Sequence, residues 1–198
     1  MNDPLSPLYG AGARQLQDEF DSRRLADRLV DITLHEELTD RDVALIQAQS
    51  SVLISTVDLE GWPDVSYKGG DVGFVRVVDR ATLDIPSYDG NGMFRTLGNV
   101  VDTGRVALLF IDTTKPYRIR LHGTATVLTS PDEVANYHGA EAVLRVSIGR
   151  VFPNCGRYIH PSPDDLSEFV PRVGHEPPVP DWKSYDAFRD ALPNRSMT

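Results

Sequence analysis

The chain has 198 residues, with 20 lysines and arginines against 29 aspartates and glutamates, which gives a formal net charge of −9 at pH 7. Its 40% hydrophobic and 25% charged residues predict one main globular domain and exclude an extended disordered chain. The acidic balance, with a pI near 4.9, argues against nucleic acid and anionic membrane as partners, and no apolar run has the length of a transmembrane helix.

The first part of the chain is predicted to be helical. Large apolar residues recur there every four or five positions with charges between them, which is typical of a helix that packs by one face: Leu16, Phe20, Leu25 and Leu29. We therefore expect one helix over residues 13 to about 31. A second, short helix is expected to follow Thr39, a plausible N-cap residue with Asp42 at the N3 position.

Beyond residue 50 the sequence changes to short β-branched runs separated by turn residues, which predicts at least seven strands. We place them at 52–58, 63–68, 74–79, 81–86, 105–112, 117–129 and 142–152. The first two form a hairpin with Gly61 in its loop. Because tight turns join most of the runs, the pattern favours an antiparallel barrel over parallel β-α-β units.

Three more short helices are expected in the later part of the chain. One follows the turn at 89–92 with Asn91 as its cap, and another begins at Ser130 with Pro131 at its first position. A third, over 184–192, closes a proline-rich tail. We thus expect three parts: a helical extension at 1–38, a barrel domain at 39–160, and a tail at 161–198 that packs on the barrel or on a partner subunit.

Several motifs that carry chemistry are absent from the sequence. There is no dinucleotide-binding fingerprint, phosphate-binding P-loop or nucleophile elbow. The five histidines show no metal-ligand spacing, and the single cysteine, Cys155, excludes an internal disulfide, so no metal site is expected. No export signal is visible, and we expect a cytoplasmic protein. Arg157 lies two residues after Cys155 and would favour a thiolate there; a packed thiol without chemical role is the alternative.

Strand periodicity places polar and basic side chains together. Ser66 and Lys68 share one face of the second predicted strand. Arg118, Arg120 and His122 share one face of the sixth. A hydroxyl, an ammonium and guanidinium groups are the partners that a phosphate monoester requires.

The charge distribution agrees with an anion site in the predicted strands. Residues 61–123 carry eight basic and seven acidic residues, a net charge of +1, whereas the rest of the chain carries −10. The helix start at Asn91 and Gly92 adds backbone N–H groups, with Arg95 one turn later. The pattern predicts a barrel that binds a phosphate-bearing ligand, and exposed strand faces paired with aspartates are the alternative interpretation.

A succession of short motifs in this region resembles a known family. They are TVD at 56–58, GWPDVS at 61–66, KGG at 68–70, GFV at 73–75, TL at 82–83, IP at 85–86, GN at 90–91, LGNV at 97–100, ALLF at 107–110 and RLHGTA at 120–125. In this order, over residues 39–160, they resemble the pyridoxamine 5′-phosphate oxidase-like, FMN-binding split-barrel family. The run FPNC at 152–155, followed by RYI at 157–159, is similar to a bacterial branch of it.

The resemblance implies a mainly β chain with flanking helices, built as a six-stranded antiparallel split barrel. It also implies a homodimer that binds FMN in clefts shared between the subunits. It assigns cofactor contacts to Ser66, Tyr67, Lys68, Gly69, Ile85, Pro86, Asn91, Arg95, Arg120 and Arg157.

Departures from the authentic vitamin B6 oxidases indicate a different reaction. The strand at 63–68 carries one basic residue where those enzymes carry two, and residues 91–93 replace their Ser-Arg-Lys run. Their C-terminal segment with Trp and Arg-Leu is also missing. Pyridoxamine phosphate is therefore not the expected substrate, and no side chain is assigned as a catalyst.

Three functional hypotheses follow from the resemblance. The first is an FMN-dependent oxidoreductase that acts on an unknown small molecule. The second is a deazaflavin-dependent reductase with the same barrel. The third is a flavin- or haem-binding protein without turnover, with His122 or His160 as the candidate haem ligand. The absorption spectrum of the bound cofactor distinguishes all three.

Overall fold

The computed structural model describes residues 8–112, 114–160, 167–169 and 174–193. Their contacts divide the chain into two compact units. The larger unit, His35–Ser167, contains the sheet, and the smaller one combines the described residues of Met1–Leu34 and Glu168–Thr198. The three-part division expected from the sequence stays a prediction.

One antiparallel sheet organises the larger unit, with its seven strands in the order β2-β1-β5-β6-β7-β4-β3. The strands are β1 (Ser51–Val57), β2 (Pro63–Gly69), β3 (Arg76–Asp79), β4 (Thr82–Tyr88), β5 (Arg105–Asp112), β6 (Tyr117–Leu128) and β7 (Ala140–Asn154). All seven runs predicted from the sequence are confirmed as strands. The resemblance implied six, and the sheet has one more.

The two ends of this sheet contribute to one hydrophobic core. Val52 and Ile54 of β1 and Leu83 and Ile85 of β4 belong to the same cluster of buried side chains, although three strands separate β1 from β4. The sheet therefore curls around one face, as a barrel requires. We call the face that carries Ile54 the inner face and the opposite one the outer face.

A β-bulge lets the two longest strands bend. The pairing of β6 with β7 shifts register between His122 and Gly123. A Cβ atom at Gly123 would lie 2.2 Å from the carbonyl oxygen of Ser147, so a larger residue there would push the two strands apart.

Helix α3 (Asp40–Gln47) begins where the sequence predicts it. The Thr39 hydroxyl accepts from the Asp42 N–H at 3.3 Å, and the Asp42 carboxylate accepts from the Thr39 N–H at 2.9 Å. The buried Asp42 carboxylate also lies 2.9 Å from the ring of His35. This capping box fixes the helix start, and the buried Leu45 and Ile46 join its other face to the core.

The single helix expected over residues 13–31 is wrong. The structure has two helices there, α1 (Ala11–Glu19) and α2 (Arg23–Thr33). Asp21 between them has φ of 48°, a left-handed conformation that no helix interior tolerates. Apolar periodicity continues through the break, so the sequence pattern gave no sign of it.

The C-terminal helix is also shorter than expected. Instead of one helix over 184–192, the chain forms a 3₁₀ turn (Asp181–Ser184) and a short helix α6 (Asp186–Arg189), with the extended Tyr185 between them. Within the smaller unit, Arg28 of α2 donates to the carbonyl oxygen of Ala187 at 2.5 Å and to the Asp190 carboxylate at 3.2 Å. The tail is thus tied to α2.

The larger unit carries two further helices, α4 (Arg95–Thr103) and α5 (Pro131–Val134), and the expected start of α5 at Pro131 is confirmed. None of the helices in the described ranges combines the length and the apolar character that crossing a lipid bilayer requires.

Candidate functional site

Strand β2 presents two different faces. Ser66 pairs with Ile54 and Lys68 pairs with Val52, so both side chains lie on the inner face. Tyr67 pairs with Leu53 and lies on the outer face, where 69% of its surface is exposed. The shared face predicted for Ser66 and Lys68 is confirmed, and Tyr67 points away from them.

Among the described residues, Lys68 has no bonded counter-charge. Its side chain is half-buried, and burial lowers the pKa of its ammonium, against the weaker opposing attraction of Asp64. Within the described residues, Lys68 makes no hydrogen bond or ion pair. An ammonium that is partly desolvated without a partner is a favourable position for an anionic ligand.

Helix α4 covers the same face of the sheet. The Asn99 side-chain amide donates to the Thr56 hydroxyl at 3.0 Å, and both residues are buried. Thr56 pairs with Asp64 and therefore lies on the inner face, on the same side as Ser66. The Thr103 hydroxyl donates to the carbonyl oxygen of Val57 at 2.9 Å. These bonds hold α4 against β1, next to the Ser66 face of β2.

The start of α4 differs from the prediction. Asn91 was expected to cap it, but the helix begins four residues later at Arg95. The Asn91 side chain instead accepts from the Met93 N–H at 3.0 Å, which closes a local turn. Phe94 then takes a left-handed conformation, with φ of 50°, so the helix cannot extend back to Asn91.

Arg95 has an acidic neighbour. Its guanidinium lies 3.9 Å from the Asp58 carboxylate in the β1–β2 turn, a long ion pair at a half-exposed position. Asp58 also accepts from the backbone N–H of Glu60 and Trp62, at 3.0 and 2.8 Å. This contact orients Arg95 toward the hairpin, while the remaining guanidinium donors make no hydrogen bond within the described residues.

Arg120 lies on the other face of the sheet from Lys68. It pairs with Leu109 on β5, which pairs with Leu53 on β1, and Leu53 pairs with Tyr67 on β2. Because directly paired residues point to the same side, Arg120 and Tyr67 share the outer face. The structure therefore separates the predicted cofactor residues into an inner group with Ser66 and Lys68 and an outer group with Tyr67 and Arg120.

The remaining predicted residues occupy other positions. Ile85 and Pro86 are buried on β4, where they pair with Leu144 and Val143 of β7. Gly69 ends β2 and pairs with Ser51. Their contact with a cofactor ring stays a prediction.

Comparison with known proteins identifies the family. The family model for pyridoxamine 5′-phosphate oxidase matches residues 38–155, more than half of the chain. The chain belongs to this family. No curated protein matches the chain by sequence.

One solved structure shows the same fold, and others are similar at lower scores. A Lactobacillus delbrueckii protein described as a pyridoxamine 5′-phosphate oxidase is 25% identical, with a TM-score of 0.51, and the match covers 61% of this chain and 99% of that one. HupZ from Group A Streptococcus is 22% identical, with a TM-score of 0.49, over 59% of this chain and 93% of the other. An FMN-binding protein from Syntrophomonas wolfei is 15% identical, with a TM-score of 0.40, over 72% and 94%.

This member of the pyridoxamine 5′-phosphate oxidase family has the mainly β, antiparallel split barrel expected from the resemblance. The family match ends at residue 155, close to the end of β7. Just beyond it, the Arg157 guanidinium donates to the Cys155 sulfur at 2.9 Å and lies 5.7 Å from the centre of the Tyr158 ring. Both contacts lie within its own loop, and neither links Arg157 to the inner group of Ser66 and Lys68.

A buried carboxylate that the sequence analysis missed fixes strand β4 of the split barrel. Asp84 is 1% exposed. Arg145 of β7 donates to its two oxygens at 2.9 and 2.7 Å, and the Tyr137 hydroxyl donates to it at 2.5 Å. The Arg76 guanidinium lies 4.5 Å from the centre of the Tyr137 ring. These partners are far apart in the sequence, so strand patterning alone does not pair them.

These contacts perturb the titration of the whole group. Burial alone would raise the pKa of Asp84, but the hydrogen bonds from Arg145 and Tyr137 and the nearby positive charges outweigh it and hold that pKa below its usual value. Burial and the Asp84 carboxylate raise the pKa of Tyr137 to about 12. The bidentate pair raises the pKa of Arg145. At neutral pH, Asp84 and Arg145 are therefore ionised and Tyr137 is neutral, and the three form a hydrogen-bonded structural network.

Proposed function

We propose that this chain is an FMN-binding flavoprotein and a flavin-dependent oxidoreductase that acts on a small molecule. The observation that carries the proposal is Lys68, a half-buried ammonium without a hydrogen bond or ion pair among the described residues, on the sheet face that α4 covers. Membership of the pyridoxamine 5′-phosphate oxidase family supports a flavin as the ligand.

The residues of the inner group fit the flavin phosphate. Lys68 would supply the positive charge and Ser66, on the same strand face, a hydroxyl donor. Arg95 at the first position of α4 would contribute guanidinium donors that Asp58, at 3.9 Å, does not occupy. When bound, FMN supplies the redox chemistry, and the chain supplies phosphate binding and a shaped, partly desolvated surface.

The absorption spectrum of protein freshly purified without added cofactor tests this proposal. We expect a flavin spectrum, and saturable quenching of FMN fluorescence when cofactor-free protein is titrated. A deazaflavin spectrum would assign the chain to the reductase alternative, and a Soret band on haem titration would assign it to the haem alternative. Colourless protein that does not bind FMN would contradict the proposal.

We also propose that the chain acts as a homodimer. Strand β2 lies at one edge of the sheet, and its outer face exposes 67% of Val65 and 69% of Tyr67. An exposed edge strand with large apolar side chains favours association with another chain. A site shared between two copies is also the arrangement in which the inner and outer groups of predicted residues can approach one flavin.

Sedimentation equilibrium measures the oligomeric state directly. We expect twice the chain mass for the wild-type protein, and a shift toward the monomer for the double variant Val65→Ser/Tyr67→Ser. The matched control, Val101→Ser on the exposed side of α4, should leave the mass unchanged. A wild-type monomer at all concentrations would contradict the dimer.

A further inference from the structure

An exposed stretch joins β4 to α4 and contains an asparagine followed by a glycine. Every residue of 88–95 is exposed. Asn91 precedes Gly92 there, and no other of the six asparagines in the sequence has glycine after it. The side-chain amide of asparagine is thermolabile because the peptide nitrogen of the next residue can attack it, and glycine hinders that attack least since it has no side chain.

The attacking atom, the peptide nitrogen of Gly92, is unprotected. Its N–H makes no hydrogen bond within the described residues. A Cβ atom placed on Gly92 would find no other atom within 4 Å, and this residue, with φ of 72°, lies outside the helices and strands. The local unfolding that a reaction in a packed segment requires is therefore not needed here.

The turn also prepares the group that is attacked. The Met93 N–H donates to the side-chain oxygen of Asn91 at 3.0 Å, and the ring closed by this hydrogen bond contains the Gly92 nitrogen. The side-chain carbonyl is thereby held next to that nitrogen instead of extending into solvent. When the nitrogen attacks, negative charge develops on this same oxygen, and a donor already in place stabilises it, as the donors of an oxyanion hole do.

We propose that Asn91 is a site of spontaneous deamidation in the folded protein and that the product weakens flavin binding. The Gly92 nitrogen forms a bond to the side-chain carbon of Asn91 and passes its proton to hydroxide. The bond from that carbon to the amide nitrogen breaks, and the amide takes a proton from water and leaves as ammonia. Water then opens the cyclic imide at either carbonyl group, so position 91 becomes aspartate or isoaspartate.

The effect on the flavin rests on the proposed function. Asn91 is one of the cofactor positions that the family resemblance assigns, and it lies four residues before Arg95, whose guanidinium we assign to the phosphate. A carboxylate at position 91 repels a phosphate dianion and attracts the same guanidinium. Because the chain itself does not reverse the reaction, flavin affinity falls as the protein ages.

Peptide mass spectrometry of cofactor-free, full-length protein incubated at mildly alkaline pH tests the modification. We expect the peptide with Asn91 to convert to aspartate and isoaspartate forms, while the exposed Asn136, which precedes Tyr137, reacts about tenfold or more slowly. Gly92→Ala should slow the reaction at position 91 to a similar extent. The matched control, Gly90→Ala, removes the glycine on the other side of Asn91 and should react as wild type. Thermal unfolding establishes that each variant is folded.

The same incubation in denaturant separates the effect of the structure from that of the sequence alone. We expect Asn91 to react at least as fast in the folded protein as in the unfolded chain, because the hydrogen bond from Met93 requires the folded turn. A folded-state rate more than about tenfold below the unfolded-state rate would show that the fold protects Asn91, which overturns the proposal. Equal rates in wild type and Gly92→Ala would overturn it as well.

Fluorescence titration with FMN tests the consequence. Asn91→Asp reproduces the aspartate product and should bind FMN about threefold or more weakly than wild type. Asn136→Asp makes the same change on another exposed turn and should bind as wild type. Equal affinities of the two variants would overturn the effect on flavin binding. If FMN does not bind to the wild-type protein at all, the proposed function fails, while the rates of deamidation still decide whether Asn91 is a modification site.

Discussion

The Lys68→Ala variant is expected to bind FMN about tenfold to a hundredfold more weakly than the wild-type protein. A hydrogen bond from a charged donor contributes about 1.5–3 kcal/mol, and Lys68 has no other partner among the described residues to share this donor with. Cofactor-free Lys68→Ala should be at least as stable as wild type, because the change removes a half-buried ammonium without a bonded counter-charge. Fluorescence titration measures the first effect and thermal unfolding the second.

Lys115→Ala is the matched control for this experiment. Lys115 lies in the exposed turn between β5 and β6, so its removal changes the net charge equally without touching the inner face. It should leave FMN affinity within about twofold of wild type. FMN affinity that is unchanged in Lys68→Ala, or reduced equally in Lys115→Ala, would contradict the assignment of Lys68 to the phosphate.

The strands and their faces were predictable because each depends on local sequence. Alternation of polar and apolar residues along 63–69 is enough to place Ser66 and Lys68 on one face, and the turn at Gly61 is enough to pair β1 with β2. Whether Lys68 and Arg120 share a face depends on the register of three strand pairs in succession. A shift of one residue in any of them reverses the answer, and a single sequence does not determine that register.

Two local signals were also misleading. Asn91 followed by glycine is a good helix-cap signal, yet its side chain bonds to the Met93 N–H and the helix starts after Phe94. The apolar periodicity of residues 13–31 continues across the left-handed Asp21. In both places one backbone torsion decides the structure, and the residue types do not specify it.

A part of the chain lies outside its match to the L. delbrueckii protein. The L. delbrueckii protein matches over 99% of its length but over only 61% of this chain. The family match covers residues 38–155, within the larger unit, so the smaller unit, in which Arg28 of α2 joins the tail, lies outside it. The family model therefore does not cover the smaller unit.

The Arg145→Met variant is expected to lower the free energy of unfolding by about 3 kcal/mol. Asp84 is 1% exposed, and without Arg145 its carboxylate keeps the Tyr137 hydroxyl as its one close donor in the described part of the chain. Loss of one partner of a buried ion pair typically costs about 3–5 kcal/mol, and we take the lower end because the Arg145 side chain is 43% exposed. Denaturant unfolding measures the change. Arg76→Met, which removes the stacking on Tyr137, a hydrogen bond to the carbonyl oxygen of Asn136 at 3.2 Å and a more distant positive charge, should cost about 1 kcal/mol.

The double variant Asp84→Asn/Arg145→Met should be more stable than Arg145→Met alone, because it removes the uncompensated charge.

The pH dependence of the unfolding free energy gives a second readout. A carboxyl group whose pKa is lowered by folding stabilises the protein above the unfolded-state pKa of about 4, and this contribution is lost as the pH falls through the lower folded-state pKa. The raised pKa of Tyr137, about 12, gives the opposite sign: its contribution is complete below the unfolded-state pKa of about 10 and is lost as the pH rises through 12. The stability difference between wild type and Asp84→Asn should therefore be constant near neutral pH and should decrease at both extremes. A difference that persists undiminished in acid would show that Asp84 stabilises β4 by packing rather than by its charge.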